Sequence, residues 1–195
     1  MSSDFFAYIS RMKFITRWAL MRSTVQENIQ EHSHMVAVLA HALGLIRREV
    51  FSRDCDVNAL AAAALYHDAA EILTGDMPTP IKYHSAEIKS AYDEVEQLAV
   101  ERLLLSLPEN LRPSYRALLT ASDDPARYAL VKAADKLAAY LKCVEERRAG
   151  SREFVSAEAA ALQKLRGMQL PEVDYFLEHF APAFEKDLDE LGTLE

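Results

Sequence analysis

The 195-residue chain has only two cysteines, Cys55 and Cys143. They are too few for a disulfide framework and lack the C-x-x-C spacing of a structural zinc or dithiol site, so both read as reduced thiols. There is no run rich in Lys and Arg, and the formal net charge is −8. That balance argues against a binder of the phosphate backbone, and polymeric nucleic acid is not an expected partner. No apolar run approaches the roughly 18 to 20 residues that span a bilayer. Asp4, Arg11 and Lys13 put charge where the apolar part of an export signal would sit, so the chain is expected in the cytoplasm, away from membranes. Internal repeats, low-complexity tracts and Gly-rich phosphate loops are missing, as are alternating Val/Ile-rich runs that would indicate a sheet. The expected fold class is all-α. Half of the residues are apolar, enough for a sizeable core, and one domain over 1–195 is expected.

What is present is a succession of helical patterns. Ser3 precedes an amphipathic stretch from Asp4 to Ile15. Thr16 to Arg22 has no clean period and holds the only tryptophan, Trp18, beside Arg17. Two readings of that pair stand open: a core indole with an exposed arginine neighbour, or a guanidinium that grips a phosphate beside a ring that covers a base or sugar. A long helix is predicted from Asn28 to Val50, with Met35, Val36, Leu39, Leu43 and Ile46 as its apolar stripe. His32 shares that face, whereas His34 is rotated away. His32 is therefore either a hydrogen-bonded core histidine or a ligand. Helices are also predicted over Asn58–Leu73, Ser85–Leu107 with a buried stripe of Ile88, Tyr92, Val95, Leu98, Ala99 and Leu103, and Leu111–Thr120. Asp124-Pro125 then starts a helix to Arg148, on whose inward face Asp135 lies between Lys132 and Lys136. A lysine ion pair and a bound cation are both open as the partner of Asp135. Ser151 to Glu195 holds helical patterns broken by Gly167, Pro171 and Pro182, to which no chemistry is assigned.

The stretch Leu65 to Pro80 concentrates ionisable groups behind an almost pure Ala/Leu run, where unpaired charge costs several kcal/mol. Glu71 follows His67 by four residues and Asp68 by three, which on a helix turns all three toward one sector. A divalent cation satisfies such a sector. Beyond Thr74-Gly75, a helix end, Asp76 falls in a loop stiffened by Pro78 and Pro80, either a rigid shelf over the helix end or an ordinary capped turn.

The order of these residues, His32, then His67-Asp68, then Asp135, resembles the H…HD…D signature of HD-domain metal-dependent phosphohydrolases. Within that superfamily the chain resembles the bacterial 5′-deoxynucleotidases of the YfbR type over nearly its whole length. The matching blocks include Phe5-Phe6-Ala7, Arg17-Trp18, Glu27-Asn28 with Glu31-His32-Ser33, Tyr66-His67-Asp68-Ala69 with Glu71, Leu73-Thr74-Gly75-Asp76 with Pro78-Thr79-Pro80, Lys132 with Ala134-Asp135, and Ala139 to Cys143.

The resemblance implies a single-domain HD-type helical bundle with a core over about 28–150 and a helical extension over 151–195. It implies hydrolysis of deoxyribonucleoside 5′-monophosphates to deoxyribonucleoside and phosphate. His32, His67, Asp68 and Asp135 would hold one divalent transition metal ion, cobalt, manganese or similar. Glu71 would be the general acid/base, with Asp76 placing water or the deoxyribose and Arg17 orienting the phosphate. Trp18, Asp76, Met77, Pro78 and Thr79 would line the sugar pocket, with His32, Asp68 and Asp135 also meeting the substrate. A homodimer is implied in the same way. The alternatives are an HD phosphohydrolase for a nucleoside triphosphate or cyclic nucleotide, and a non-catalytic helical interaction module. The sparse cations, Arg17 and Lys82, favour a monophosphate over a triphosphate.

Overall fold

A capping box opens the central helix. The Asn28 side chain accepts the amides of Gln30 and Glu31 at 3.0 Å each, and the Glu31 carboxylate accepts the Asn28 amide at 3.3 Å. The computed structural model describes residues 2–120 and 124–192; residues 121–123 and the ends of the expected 1–195 domain and 151–195 extension lie outside the described residues. In chain order it has α1 (Phe5–Ile9), α2 (Ile29–Leu45), α3 (Val57–Leu65), α4 (Glu71–Thr74), α5 (Thr79–Lys82), α6 (Ala86–Leu105), α7 (Arg112–Leu119), α8 (Pro125–Arg148), α9 (Phe154–Gly167) and α10 (Pro171–His179). There is no strand among the described residues; an isolated bridge pairs Thr16 with Asn28. Side-chain caps open α3 and α8. Asp56 accepts the Ala59 amide at 2.9 Å, and Asp124 accepts those of Ala126 and Arg127 ahead of Pro125. No helix among the described residues is long and apolar enough to cross a membrane.

Two apolar clusters form the interior. In the first, Val36, Leu39, Ala40 and Leu43 of α2 meet Leu60, Ala63 and Ala64 of α3 and Leu130, Ala134, Leu137 and Leu141 of α8, closed by Leu165 of α9 and Val173 and Phe176 of α10. Gly44 lets α2 and α3 approach, since a Cβ there would lie 3.1 Å from Leu60 and 3.2 Å from Val57. The second cluster joins Phe5, Ala69, Ala70, Ala99, Val100, Leu103, Leu104, Leu107 and Leu119.

The crossing between these clusters breaks the helix predicted over 58–73. It ends at Leu65, runs through turns over 66–70, and resumes at Glu71. Short bonds take over there, with the Ala69 amide reaching the Tyr66 carbonyl at 3.0 Å and that of Glu71 reaching Asp68 at 3.0 Å. The reason is packing: Ala63 and Ala64 are buried in one cluster and Ala69 and Ala70 in the other, which a straight helix cannot serve. His67 and Asp68 are thereby held on a turn between two cores.

Three further expectations change. The stretch from Asp4 to Ile15 is a short α-helix followed by a 3₁₀ turn over Ser10–Phe14, and the one from Asn28 widens to a π turn over Ile46–Val50. Met35 is exposed rather than part of the buried stripe of α2. On α6 the stripe is only half buried: Tyr92, Ala99 and Leu103 face inward, whereas Ile88, Val95 and Leu98 are 37%, 48% and 70% exposed. That helix is apolar over a wider arc than α1, α4 and α7 cover.

Candidate active site

His32 stands one turn into α2, fully buried, because the capping box fixes where the helix begins. From α8, Asp135 reaches across to it, with Oδ1 3.1 Å from His32 Nε2. The turn after α3 adds His67 and Asp68. Asp68 Oδ2 lies 3.6 Å from His32 Nε2 and 3.1 Å from His67 Nε2, and His67 Nε2 lies 4.0 Å from Asp135 Oδ1. One ligand atom each from His32, His67 and Asp135 falls within 4.8 Å of the others. The lysine alternative for Asp135 does not hold among the described residues. Lys132 sits over the Tyr128 ring at 5.6 Å, and Asp135 is bonded to His32.

These residues fit a divalent cation. A carbonyl oxygen only accepts, so the 2.7 Å contact of His67 Nδ1 with the Ala64 carbonyl places a proton on Nδ1 and leaves Nε2 with its lone pair. That Nε2 is buried with no hydrogen-bond partner among the described residues; the Asp68 Oδ2 3.1 Å away is itself an acceptor. Two imidazole nitrogens and two carboxylates form a donor set suited to a transition metal. The local field also favours positive charge. Burial works to lower the His32 pKa, but the hydrogen bond to Asp135 and the Glu27 carboxylate 3.7 Å from Nδ1 carry it up to about 9. Burial likewise opposes ionisation of Asp68 and Asp135, yet the facing imidazoles hold both carboxyls below their ordinary range.

Glu71, at the start of α4, behaves oppositely. Burial, together with the charges of Asp68 and Asp76, pushes its carboxyl up to about 9. It is 7% exposed, and its Oε2 has no partner among the described residues. At neutral pH it holds a proton that it can give away. Burial also raises Asp76, which feels the charges of Arg17 and Asp68. Arg17 closes the other side, its Nη1 3.4 Å from Asp68 Oδ2 and its Nε 3.1 Å from Glu27 Oε2. Lys82, by contrast, is engaged by Glu96 at 2.8 Å and lies over the Tyr92 ring at 4.5 Å.

Trp18 sits next to this group in a left-handed backbone conformation, φ 58°. Its indole nitrogen donates to Glu27 at 2.8 Å, and its ring lies 5.3 Å from that of Phe154. Met77 and Pro78 are half-buried and Thr79 is exposed; their side chains make no hydrogen bond or ion pair with the cluster. Their turn begins at Gly75, φ 75°, whose carbonyl accepts the Tyr92 hydroxyl at 3.2 Å. His34 and His41 are exposed and away from the site.

Sequence reasoning gave no role to four contributors. Glu27 stands in a matching block just before the helix start at Asn28, but carries no local pattern that gives it a role. Phe154 and Glu153 belong to the segment given no chemistry, yet the first packs on Trp18 and the second accepts the Arg22 amide at 3.0 Å. Glu146, on α8, accepts the Thr24 and Val25 amides at 2.6 and 3.1 Å and the Lys142 ammonium at 2.7 Å, pinning the loop that carries Trp18. Only the adjacency of Lys142 and Glu146 at i, i+4 hinted at that pair.

A family model described as 5′-deoxynucleotidase YfbR-like matches residues 4–184. A 5′-deoxynucleotidase of Erwinia tasmaniensis is 46% identical over 191 residues, covering 97% of this chain and 96% of that protein. Among solved structures, an HD-domain phosphohydrolase from Listeria innocua superposes with a TM-score of 0.82 at 26% identity, covering 95% of this chain and 90% of the other. A predicted metal-dependent phosphohydrolase from Magnetospirillum magnetotacticum gives a TM-score of 0.65 at 27% identity, covering 96% and 92%.

Proposed function

The chain belongs to the YfbR-like 5′-deoxynucleotidases and has their HD-domain fold, and from that membership we propose how its residues divide the work of a metal-dependent phosphomonoester hydrolase. The substrate is a deoxyribonucleoside 5′-monophosphate, and the products are the deoxyribonucleoside and phosphate. The observation that carries this reading is the meeting of His32, His67, Asp68 and Asp135, with Arg17 on one side and the protonated Glu71 nearby.

His32, His67, Asp68 and Asp135 would hold the ion, cobalt, manganese or similar. A divalent ion supplies Lewis acidity and a bound water of lowered pKa. Arg17, fixed at Nε and Nη1, presents the remaining edge of its guanidinium to the phosphate and neutralises charge that grows on it. Glu71 gives its proton to the 5′ oxygen as the P–O bond breaks, and regains one from the water whose oxygen joins phosphorus. Asp76 accepts a hydroxyl of the deoxyribose or the attacking water. Trp18, with Met77, Pro78 and Thr79, bounds the sugar. With Lys82 engaged by Glu96, the proposed phosphate site draws its side-chain cation from Arg17, which suits a monophosphate.

The proposed location is the cytoplasm, and the proposed assembly is a homodimer. Val95, Leu98 and Leu105 share one uncovered face of α6, apolar and 48%, 70% and 66% exposed, which a second copy would bury. Leu98→Glu should halve the mass seen by light scattering; a monomeric parent would refute the dimer. The activity itself is tested by phosphate release from deoxy and ribo mono-, tri- and cyclic nucleotides with several metals. Release from deoxyribonucleoside monophosphates that chelator abolishes and metal restores is expected. Turnover that survives chelation would overturn the metal-centred reading.

A further inference from the structure

We propose that Glu27 is a positioning residue, a single carboxylate that sets the phosphate arginine, the sugar-facing tryptophan and a metal-binding histidine in register. Its Oε2 accepts Trp18 Nε1 at 2.8 Å and Arg17 Nε at 3.1 Å, while its Oε1 faces His32 Nδ1 at 3.7 Å. The backbone holds the same arrangement. The Glu27 carbonyl accepts the Arg17 amide at 2.9 Å, the Ile15 carbonyl accepts the Ile29 amide at 3.0 Å, and Thr16 pairs with Asn28. The loop over 17–27 is thus tied at its neck, directly before α2.

Each of the three contacts constrains a group that must be held in one orientation. The Trp18 backbone is in the left-handed region, which a bulky residue adopts only when its surroundings impose it. Glu27 on the indole nitrogen and Phe154 against the ring impose it here. Arg17 is a planar fork, and fixing Nε on Glu27 and Nη1 on Asp68 leaves one edge whose direction is decided by those two carboxylates. For His32 Nε2 to offer a lone pair toward the position shared with His67 and Asp135, its proton must sit on Nδ1, the atom that faces Glu27. A carboxylate that served only as a surface ion pair would not be 14% exposed, nor would all of its partners be site residues.

The inference rests on the site roles given above for Arg17, Trp18 and His32, and the test separates the two. Glu27→Ala, Glu27→Gln and Trp18→Ala are compared with the parent in two measurements: the Co²⁺ dissociation constant of the metal-free protein, and the ratio of kcat/KM for dAMP over AMP. In Glu27→Ala, Co²⁺ should bind about 10- to 100-fold more weakly, and the dAMP:AMP ratio should fall to that of Trp18→Ala. In Glu27→Gln the amide oxygen still accepts from the indole but no second acceptor faces His32, so the ratio should be kept while Co²⁺ binding weakens. Retention of either parental value by Glu27→Ala overturns the joint role. Equal losses in the Ala and Gln variants, accompanied by equal drops in melting temperature, also overturn it, because that is what a merely structural residue does. Should Glu27→Ala fail to fold, the Co²⁺ affinity of Glu27→Gln decides, an unchanged value being fatal. A parental ratio in Trp18→Ala would instead refute the sugar assignment, leaving Glu27 to be judged on Co²⁺ alone.

Discussion

His32 and Asp135 are 103 residues apart in the chain, and His32 Nε2 lies 3.1 Å from Asp135 Oδ1. The two belong to α2 and α8, whose packed faces form the first apolar cluster, so their separation is set by the core rather than by any loop. Removing one partner strands a buried group, and this gives the first expectation. Asp135→Ala and Asp68→Ala should each abolish metal retention and turnover together, as measured by metal analysis after gel filtration and by phosphate release. A fully metallated, active Asp135→Ala protein would falsify the ligand assignment.

Glu71 should behave differently from the ligands. Glu71→Gln removes a proton donor without removing a ligand, so kcat should fall roughly a hundredfold or more while metal content stays at the parental level. Loss of metal in this variant would make Glu71 a ligand instead.

The same substitution should stabilise the metal-free protein at neutral pH. The folded pKa of Glu71, about 9, lies above that of an unfolded glutamate, so the folded state binds more protons than the unfolded one between about pH 4.5 and 9. Stability therefore declines as pH rises through that window. In chelator at pH 7, Glu71→Gln should gain about 1–3 kcal/mol in denaturant unfolding, and the gain should vanish near pH 4. A gain that does not depend on pH would rule out this cause.

Sugar discrimination is assigned to Trp18 and phosphate binding to Arg17. Trp18→Ala should lower the preference for dAMP over AMP, because a looser pocket rejects one added hydroxyl by only about a hundredfold at most. Arg17→Ala should lower kcat/KM for both nucleotides by similar factors. An unchanged ratio in Trp18→Ala removes it as the sugar gate.

Glu146 supplies an acid-sensitive anchor. Burial opposes its charge, but Lys142 and the Thr24 and Val25 amides bring its pKa down to about 2. A lowered carboxylate pKa contributes stability that is fully present above the unfolded value, near pH 4.5, and is lost as pH falls toward 2. Glu146→Gln should cost about 2–3 kcal/mol at pH 7, with the difference from the parent shrinking below pH 4. Equal differences at pH 7 and pH 3 would show that the charge is not what anchors the loop.

The helices and the inward placement of His32 and Asp135 were legible in the sequence because both are written locally. Caps such as Asn28, Asp56 and Asp124 satisfy amides two or three residues away, and apolar periodicity marks the inward faces of α2 and α8, on which His32 and Asp135 must lie. The tertiary structure alone decided what depends on several elements at once. The turn that carries His67 and Asp68 exists because Ala63-Ala64 and Ala69-Ala70 enter different cores, which no periodicity within the segment reveals. The outer arc of α6 is exposed because its neighbours cover only part of an apolar helix. Glu27, Phe154 and Glu146 join the site through partners 5 to 136 residues away, by the separations Glu27–His32 and Trp18–Phe154. Helical periodicity encodes which way a side chain points from its own axis; only the packing of axes against one another determines what it meets.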